Sequence, residues 1–348
     1  MPATAAPWEL TPLTEPLSRE QVRAWRRENP GFRFDATHPW WTLFLAVPVL
    51  LIGLAYLGIG IILFATGTAV RGASPIALVI PFLFTVVIVV ALVASVINGR
   101  GHEERLVRLV RFAQANGFSY SRSDDEPSYP GLIFRIGRRR QAVDHILRSA
   151  PRFLDLGNFR YVVGAGKNTR TRTWGFMALH LDRRIPHMLL DARANNFLGS
   201  NLPTAFSKDQ VLSLEGDFDR HFTLYCPREY ERDALYVFTP DLMALLIDEA
   251  GAFDVEVIDD WMFVYSQVPF RMGDPATLMR LLRIVDTVGA KTLDRTDYYA
   301  DERIGNRAVN LVAPQGMRLR RGIPWAVVLA VVASVAMFLW IAIGAPPR

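Results

Sequence analysis

Asp217, Asp219 and His221 occupy alternate positions in one short stretch. If Phe218–Tyr225 is a strand, as its aromatic and Thr content predicts, the three side chains share a face. His180 and Asp182 alternate in the same way on an earlier expected strand, with His187 shortly after. Carboxylates and imidazoles converging from two strands could hold a divalent metal, which would make the domain a metal-dependent hydrolase. Polar residues alternating with Phe and Leu are also what a half-solvated strand shows. Spacing alone therefore does not separate a metal site from a wet sheet face.

Other chemistry fares worse. Cys226 and His221 invite a thiol–imidazole pair, but an odd separation on one strand puts them on opposite faces. Cys226 then joins Phe218, Phe222 and Leu224 on an apolar face. Gly164-Ala-Gly-Lys167-Asn168 looks like part of a phosphate loop. The pattern needs Gly where Tyr161 stands and Ser or Thr where Asn168 stands, so a turn between strands is expected instead. Arg138-Arg139-Arg140, with Arg135 before it, is the densest basic run and reads as a loop facing solvent, anionic lipid or an acidic partner. No cofactor loop is complete, and no cofactor is expected.

The elements that would position these residues follow from periodicity. Glu103–Asn116 carries Leu106, Leu109, Val110 and Ala113 at helical spacing, and Gly117 supplies a stop. Strands are expected at Phe118–Arg122, Leu132–Ile136, Phe159–Val163, Trp174–Leu181, His187–Leu190, Gln210–Leu214 and Phe218–Tyr225. Thr239-Pro240 opens a helix closed by Gly251. Val255–Ile258 and Trp261–Val268 suggest a hairpin across Asp259-Asp260, and Asp274-Pro275 opens a helix ending before Gly289. The order predicts an α+β domain with a largely antiparallel sheet over residues 98–322.

Outside that span the sequence is different. Residues 39–70, 72–99 and 322–347 contain no Asp, Glu, Lys or Arg. Each is long enough for a transmembrane helix, which needs about 20 apolar residues. A two-helix hairpin at 40–97 and a C-terminal helix at 323–348 are therefore expected. Basic residues near their ends orient the chain: Arg23, Arg26 and Arg27 first, then Arg100 and Arg105, then Arg318, Arg320 and Arg321. All fall on one side if the chain crosses three times. The expectation is a bacterial plasma-membrane protein with its N-terminus and middle domain cytoplasmic and its C-terminus outside. Residues 1–39 read as a disordered tail followed by a short basic helix, opened by Ser18 and Gln21, suited to anionic headgroups. Small-residue ridges, Ala326-Ala330-Ser334 among them, would serve packing within the helices or a homodimer. Spans without ionisable groups argue against a pump.

The whole-chain charge of +5 is spread along the sequence, so no nucleic-acid partner is expected. A single cysteine excludes an intrachain disulfide. Leu212-Ser-Leu-Glu-Gly-Asp-Phe218 and Tyr236-Val-Phe-Thr-Pro-Asp241 resemble a motif set of uncharacterised actinobacterial membrane proteins. That resemblance covers most of residues 100–300 and implies one folded unit in a membrane protein, with no activity attached. The combined reading is a membrane-tethered binding, scaffold or regulatory module with an unknown protein partner, rather than an enzyme. The metal-dependent hydrolase is the alternative.

Overall fold

The computed structural model describes residues 8–29, 51, 53–56, 58, 83, 85–88, 90, 103–196, 200–306, 309–322 and 334. The chain divides into two compact units, Met1–Phe112 and Ala113–Arg348.

In the first unit Arg19–Glu28 is a helix with the expected capping box, the Ser18 hydroxyl accepting from Gln21 N and the Gln21 side chain accepting from Ser18 N. Trp25 is buried, and Arg26 pairs with Glu103 at 2.7 Å. Residues 103–112 of this unit are helical; the helix ends at 115 in the second unit, where Gly117 at φ 71° supplies the expected stop.

Among the described residues seven antiparallel strands organise the second unit: β1 Ser119–Asp125, β2 Arg138–Arg148, β3 Leu154–Val163, β4 Arg170–Ala192, β5 Val211–Leu212, β6 Phe222–Tyr225 and β7 Asp254–Ser266. β4 is the spine. β3 pairs with its residues 170–179, β6 with 189–192, and β7 runs along 175–190. One sheet face carries Phe159, Tyr161, Trp174, Phe176, Phe263 and Tyr265, packed against Ile133 and Phe134 of the turn Leu132–Arg135. The other face carries Leu179, against which a side chain at Gly289 would come within 3.0 Å, so the 275–296 helical segment lies there. Asp274 caps that segment by accepting from Thr277 N at 3.0 Å.

The α+β antiparallel expectation holds, with local corrections. The expected strand Leu132–Ile136 is a tight turn of helix. Trp174–Leu181 and His187–Leu190 are parts of one strand that carries Asp182, Arg183 and Arg184 through two bulges. Asp259-Asp260 is no hairpin turn: Asp259 adopts φ 53° inside the continuous strand β7 and pairs with Arg318 at 2.8 Å. Gly289 does not end its helix; a wide turn at Val285–Gly289 leads straight into Ala290–Thr296.

The membrane expectation is overturned as well. Among the described residues no helix is long and apolar enough to cross a membrane. Most of the three charge-free runs lie outside the described residues, and what is described there is helical residues 51, 53–56, 58, 83, 85–88, 90 and 334. Absence of charge lowers the cost of leaving water, but a span requires one unbroken helix of about 20 residues. Three transmembrane helices are therefore not supported, nor is the plasma-membrane topology with the C-terminus outside.

Candidate functional site

A row of polar side chains is buried on the aromatic face of the sheet. Glu256 on β7 is fully buried and accepts three hydrogen bonds or contacts: Leu132 N at 2.8 Å, the Tyr265 hydroxyl at 2.6 Å, and His187 Nε2 at 2.7 Å. Leu319 N donates to His187 Nδ1 at 3.1 Å, so the ring proton sits on Nε2 and is given to Glu256. Each member ties a segment outside the sheet onto it: Glu256 holds the helical turn at Leu132, His187 holds Leu319. A carboxylate kept out of water is tolerated only when its lone pairs are satisfied, as they are here.

The row continues to Asp254 and Asp191. Leu190 pairs with Val255, which places these two carboxylates at the next rung of the ladder. Asp254 Oδ1 accepts from Ala192 N at 2.9 Å and from Asn195 Nδ2 at 3.0 Å. Its Oδ2 and the Asn195 Oδ1 are both buried without a hydrogen-bond partner. Burial pushes the Asp254 carboxyl up to about 7, and the Asp191 charge adds to the rise against the two donors. Burial also raises Asp191, opposed by its bonds from Asn196 and Ser200.

From these carboxylates a ladder of amides runs outward. Asn196 Nδ2 donates to Asp191 Oδ1 at 2.9 Å, Asn201 N to Asn196 Oδ1 at 2.8 Å, and Gln267 Nε2 to Asn201 O at 2.7 Å. Asn201 Nδ2 also bonds Asn195 O. The ladder fixes Ser200–Pro203 as one wall of a groove. Its other side is Ile136, Tyr161, Val163 and the β4 start from Thr171 to Trp174, and the cavity volume is about 810 Å³. Trp174 Nε1 donates to the Tyr161 hydroxyl at 3.2 Å, locking both rings. Small-molecule sites fall in this size range and mix apolar walls with a few placed polar groups. Here Arg172 supplies the charge and Thr171, Thr173, Asn201 and Gln267 supply donors and acceptors.

A second buried histidine stands apart. Asp144 at φ 47° marks a bulge in β2 that turns His145 inward beside Ile146. His145 Nδ1 lies 2.8 Å from Asp155 Oδ1, while Nε2 is 3.0 Å from Asp124 Oδ2 but off the angle of a hydrogen bond. Burial works against the charged ring, yet Asp155 and Asp124 outweigh it and raise the His145 pKa. The Tyr129 hydroxyl donates to Asp155 Oδ2 at 2.6 Å.

The residues expected to do metal chemistry are scattered. Phe218–His221 is a short helical turn, so the supposed alternation of Asp217, Asp219 and His221 does not exist. His221 lies 3.9 Å from Asp217 across that turn, whereas Asp219 accepts from Leu214 N at 3.1 Å and from the Ser213 hydroxyl. His180 faces Asp260 at 3.5 Å, and Asp182 is engaged by Arg152 at 2.7 Å. Among the described residues no three His, Cys, Asp or Glu side chains gather as a metal would need. Cys226 is buried, and burial with nearby carboxylates raises its thiol pKa. Of the expected headgroup-facing arginines, Arg318 and Arg320 are engaged by Asp259 and Asp209, Arg321 bridges Phe206 through its backbone, and Arg23, Arg27 and Arg105 are exposed. Arg100 lies outside the described residues.

Sequence reasoning singled out His187 but missed Asp191, Asp254, Glu256 and the Asn195–Asn201 ladder. One signal was available: Asp254-Val-Glu256-Val-Ile258 puts charges on the same phase as Ile258, between valines, in a strand too apolar to be half wet.

No family model matches the sequence, and no curated protein matches it. Among solved structures, the chain is similar to the crystal structure of the mycobacterial trehalose monomycolate transport factor A, TtfA. That similarity has 12% identity and a TM-score of 0.33, over 52% of this chain and 94% of the other. A likeness of that extent sets neither the fold nor the function of this chain.

Proposed function

We propose that the second unit is a binding module, and that its groove takes a small amphipathic molecule whose negative group meets Arg172. The observation that supports this most is the composition of the groove: two locked aromatic rings and aliphatic walls on one side, amides and hydroxyls on the other, and one guanidinium. An apolar body would bury against Ile136, Val163, Pro203 and Pro269, over the packed rings of Tyr161 and Trp174, gaining roughly 25 cal/mol per Å² covered. A charge-assisted bond to Arg172 would fix its orientation.

The test is calorimetric titration of the full chain with dodecyl phosphate below its micelle-forming concentration. Saturable one-to-one binding is expected, with Thr171→Trp, which fills the groove, weakening it at least about tenfold. Arg172→Gln should weaken it by about tenfold too, the share of one charged hydrogen bond. Unsaturable binding, or binding indifferent to Thr171→Trp, would reject the groove.

A further inference from the structure

Beside the groove mouth, the last rungs of three strands gather cations. Arg138 pairs with Val162 across β2 and β3, Tyr161 pairs with Arg172, and Val163 pairs with Arg170. These registers bring Arg138, Arg139, Arg160, Lys167, Arg170 and Arg172 to one end of the sheet, all exposed. Backbone geometry builds the tips. Arg139 sits at φ 51° in a bulge just after Gly137 at φ 70°, which projects it beyond the ladder. Gly164 at φ 81° turns the β3–β4 loop so tightly that a Cβ there would lie 2.2 Å from Asn168 O. Lys167 rides on that loop.

These charges are not cancelled. Arg138 donates to Gly164 O at 2.6 Å and Arg160 to the Gln141 amide oxygen at 2.8 Å, both neutral partners. Among the described residues Arg139, Lys167, Arg170 and Arg172 form no ion pair; of the acids on the adjoining strand end, Glu126 is taken by Arg140 and Asp125 accepts from the Gln141 amide. Apolar side chains lie among them: Ile136 and Val163 are half-buried, and Val268, between the groove residues Gln267 and Pro269, is 74% exposed.

We infer that this end of the sheet docks on an anionic lipid surface, with the groove mouth held against it. Cations with interspersed aliphatic side chains suit a plane of headgroups over hydrocarbon, where arginine and lysine meet phosphate and valine enters the interface. Nucleic acid is less well served, since the two rings at this end, Tyr161 and Trp174, are buried and offer no face for stacking bases. The inference rests on the binding reading only in naming where the groove's ligand would come from.

The experiment is co-sedimentation of the full chain with vesicles of phosphatidylcholine, alone or with phosphatidylglycerol, at low and physiological salt. Each basic residue near such a surface is worth about fivefold in partition, from about 1 kcal/mol apiece. Arg139→Gln/Lys167→Gln/Arg170→Gln together should therefore lower partition onto phosphatidylglycerol vesicles by about a hundredfold, with little change on phosphatidylcholine. These exposed tip residues leave folding intact, which the melting temperature checks. Equal partition of wild type and triple variant would overturn the inference, as would stronger retention on a single-stranded oligonucleotide than on the vesicles. Thr171→Trp should keep vesicle binding and the triple variant should keep dodecyl phosphate binding, so the two readings fail separately.

Discussion

Asp254→Asn should make the protein more stable in alkaline solution and leave it nearly unchanged in acid. Asp254 is fully buried, its Oδ1 has two donors, and its Oδ2 and the Asn195 Oδ1 lack partners. A proton on Oδ2 supplies the missing donor, and an asparagine amide supplies it permanently. The carboxyl is raised from 3.8 to about 7 in the folded chain. Because the folded pKa lies above the unfolded one, the folded state holds the proton more tightly. Stability is then greatest below the unfolded pKa and declines as pH rises through the folded one. About three units at 1.36 kcal/mol each give a loss of about 4 kcal/mol across that window, as an upper estimate. At about 2–4 °C per kcal/mol for a domain of this size, the variant should melt of order 10 °C higher than wild type at alkaline pH. The gap should close towards pH 4. Thermal melts of both proteins across this range, read as a difference, cancel distant titrating groups such as His145, which do not face Asp254. A variant less stable than wild type at alkaline pH, or a difference that does not vary with pH, would refute the reasoning.

His187→Ala strands the buried Leu319 N–H while leaving Glu256 two donors. We expect a loss of about 3 kcal/mol by denaturant titration, with earlier hydrogen exchange in residues 313–322 than in β7. Gly157→Ala puts a Cβ 2.1 Å from His145 Cβ, and neighbouring strands must part; a melting temperature within a degree or two of wild type would contradict that packing. Cys226, buried with a raised thiol pKa, should react with a maleimide only on unfolding, and rapid labelling of native protein would show the site to be open.

Residues whose neighbours in sequence are also their neighbours in space were legible. The Ser18–Gln21 box, the Gly117 stop, and the Pro240 and Pro275 helix starts all appear in the structure, because caps depend on three or four consecutive residues. Errors arose where tertiary pairing overrides a local signal. Trp174–Leu181 and His187–Leu190 read as two separate strands, yet β4 runs on through Asp182-Arg183-Arg184 because β7 pairs on both sides and Arg152 takes up Asp182. Asp259-Asp260 reads as a turn until Arg318, far along the chain, is seen to hold Asp259 in a bulge. The site was less legible still. Its polar row depends on which segments cover the sheet, and nothing in Asp254 or Glu256 alone names Asn195, Leu132 or His187 as partners. The Asp217–His221 pattern failed for the opposite reason, a tempting alternation in a segment that starts as a helix.

The most direct measurement is photo-crosslinking of the full chain with a diazirine-bearing alkyl phosphate, followed by peptide mapping. The account predicts adducts concentrated in peptides holding Ile136, Tyr161–Val163, Thr171–Trp174, Ser200–Pro203 and Gln267–Pro269, and their loss in Thr171→Trp. Adducts spread over the protein, or gathered at the separate cleft of Tyr236, Tyr298 and Arg303, would contradict it.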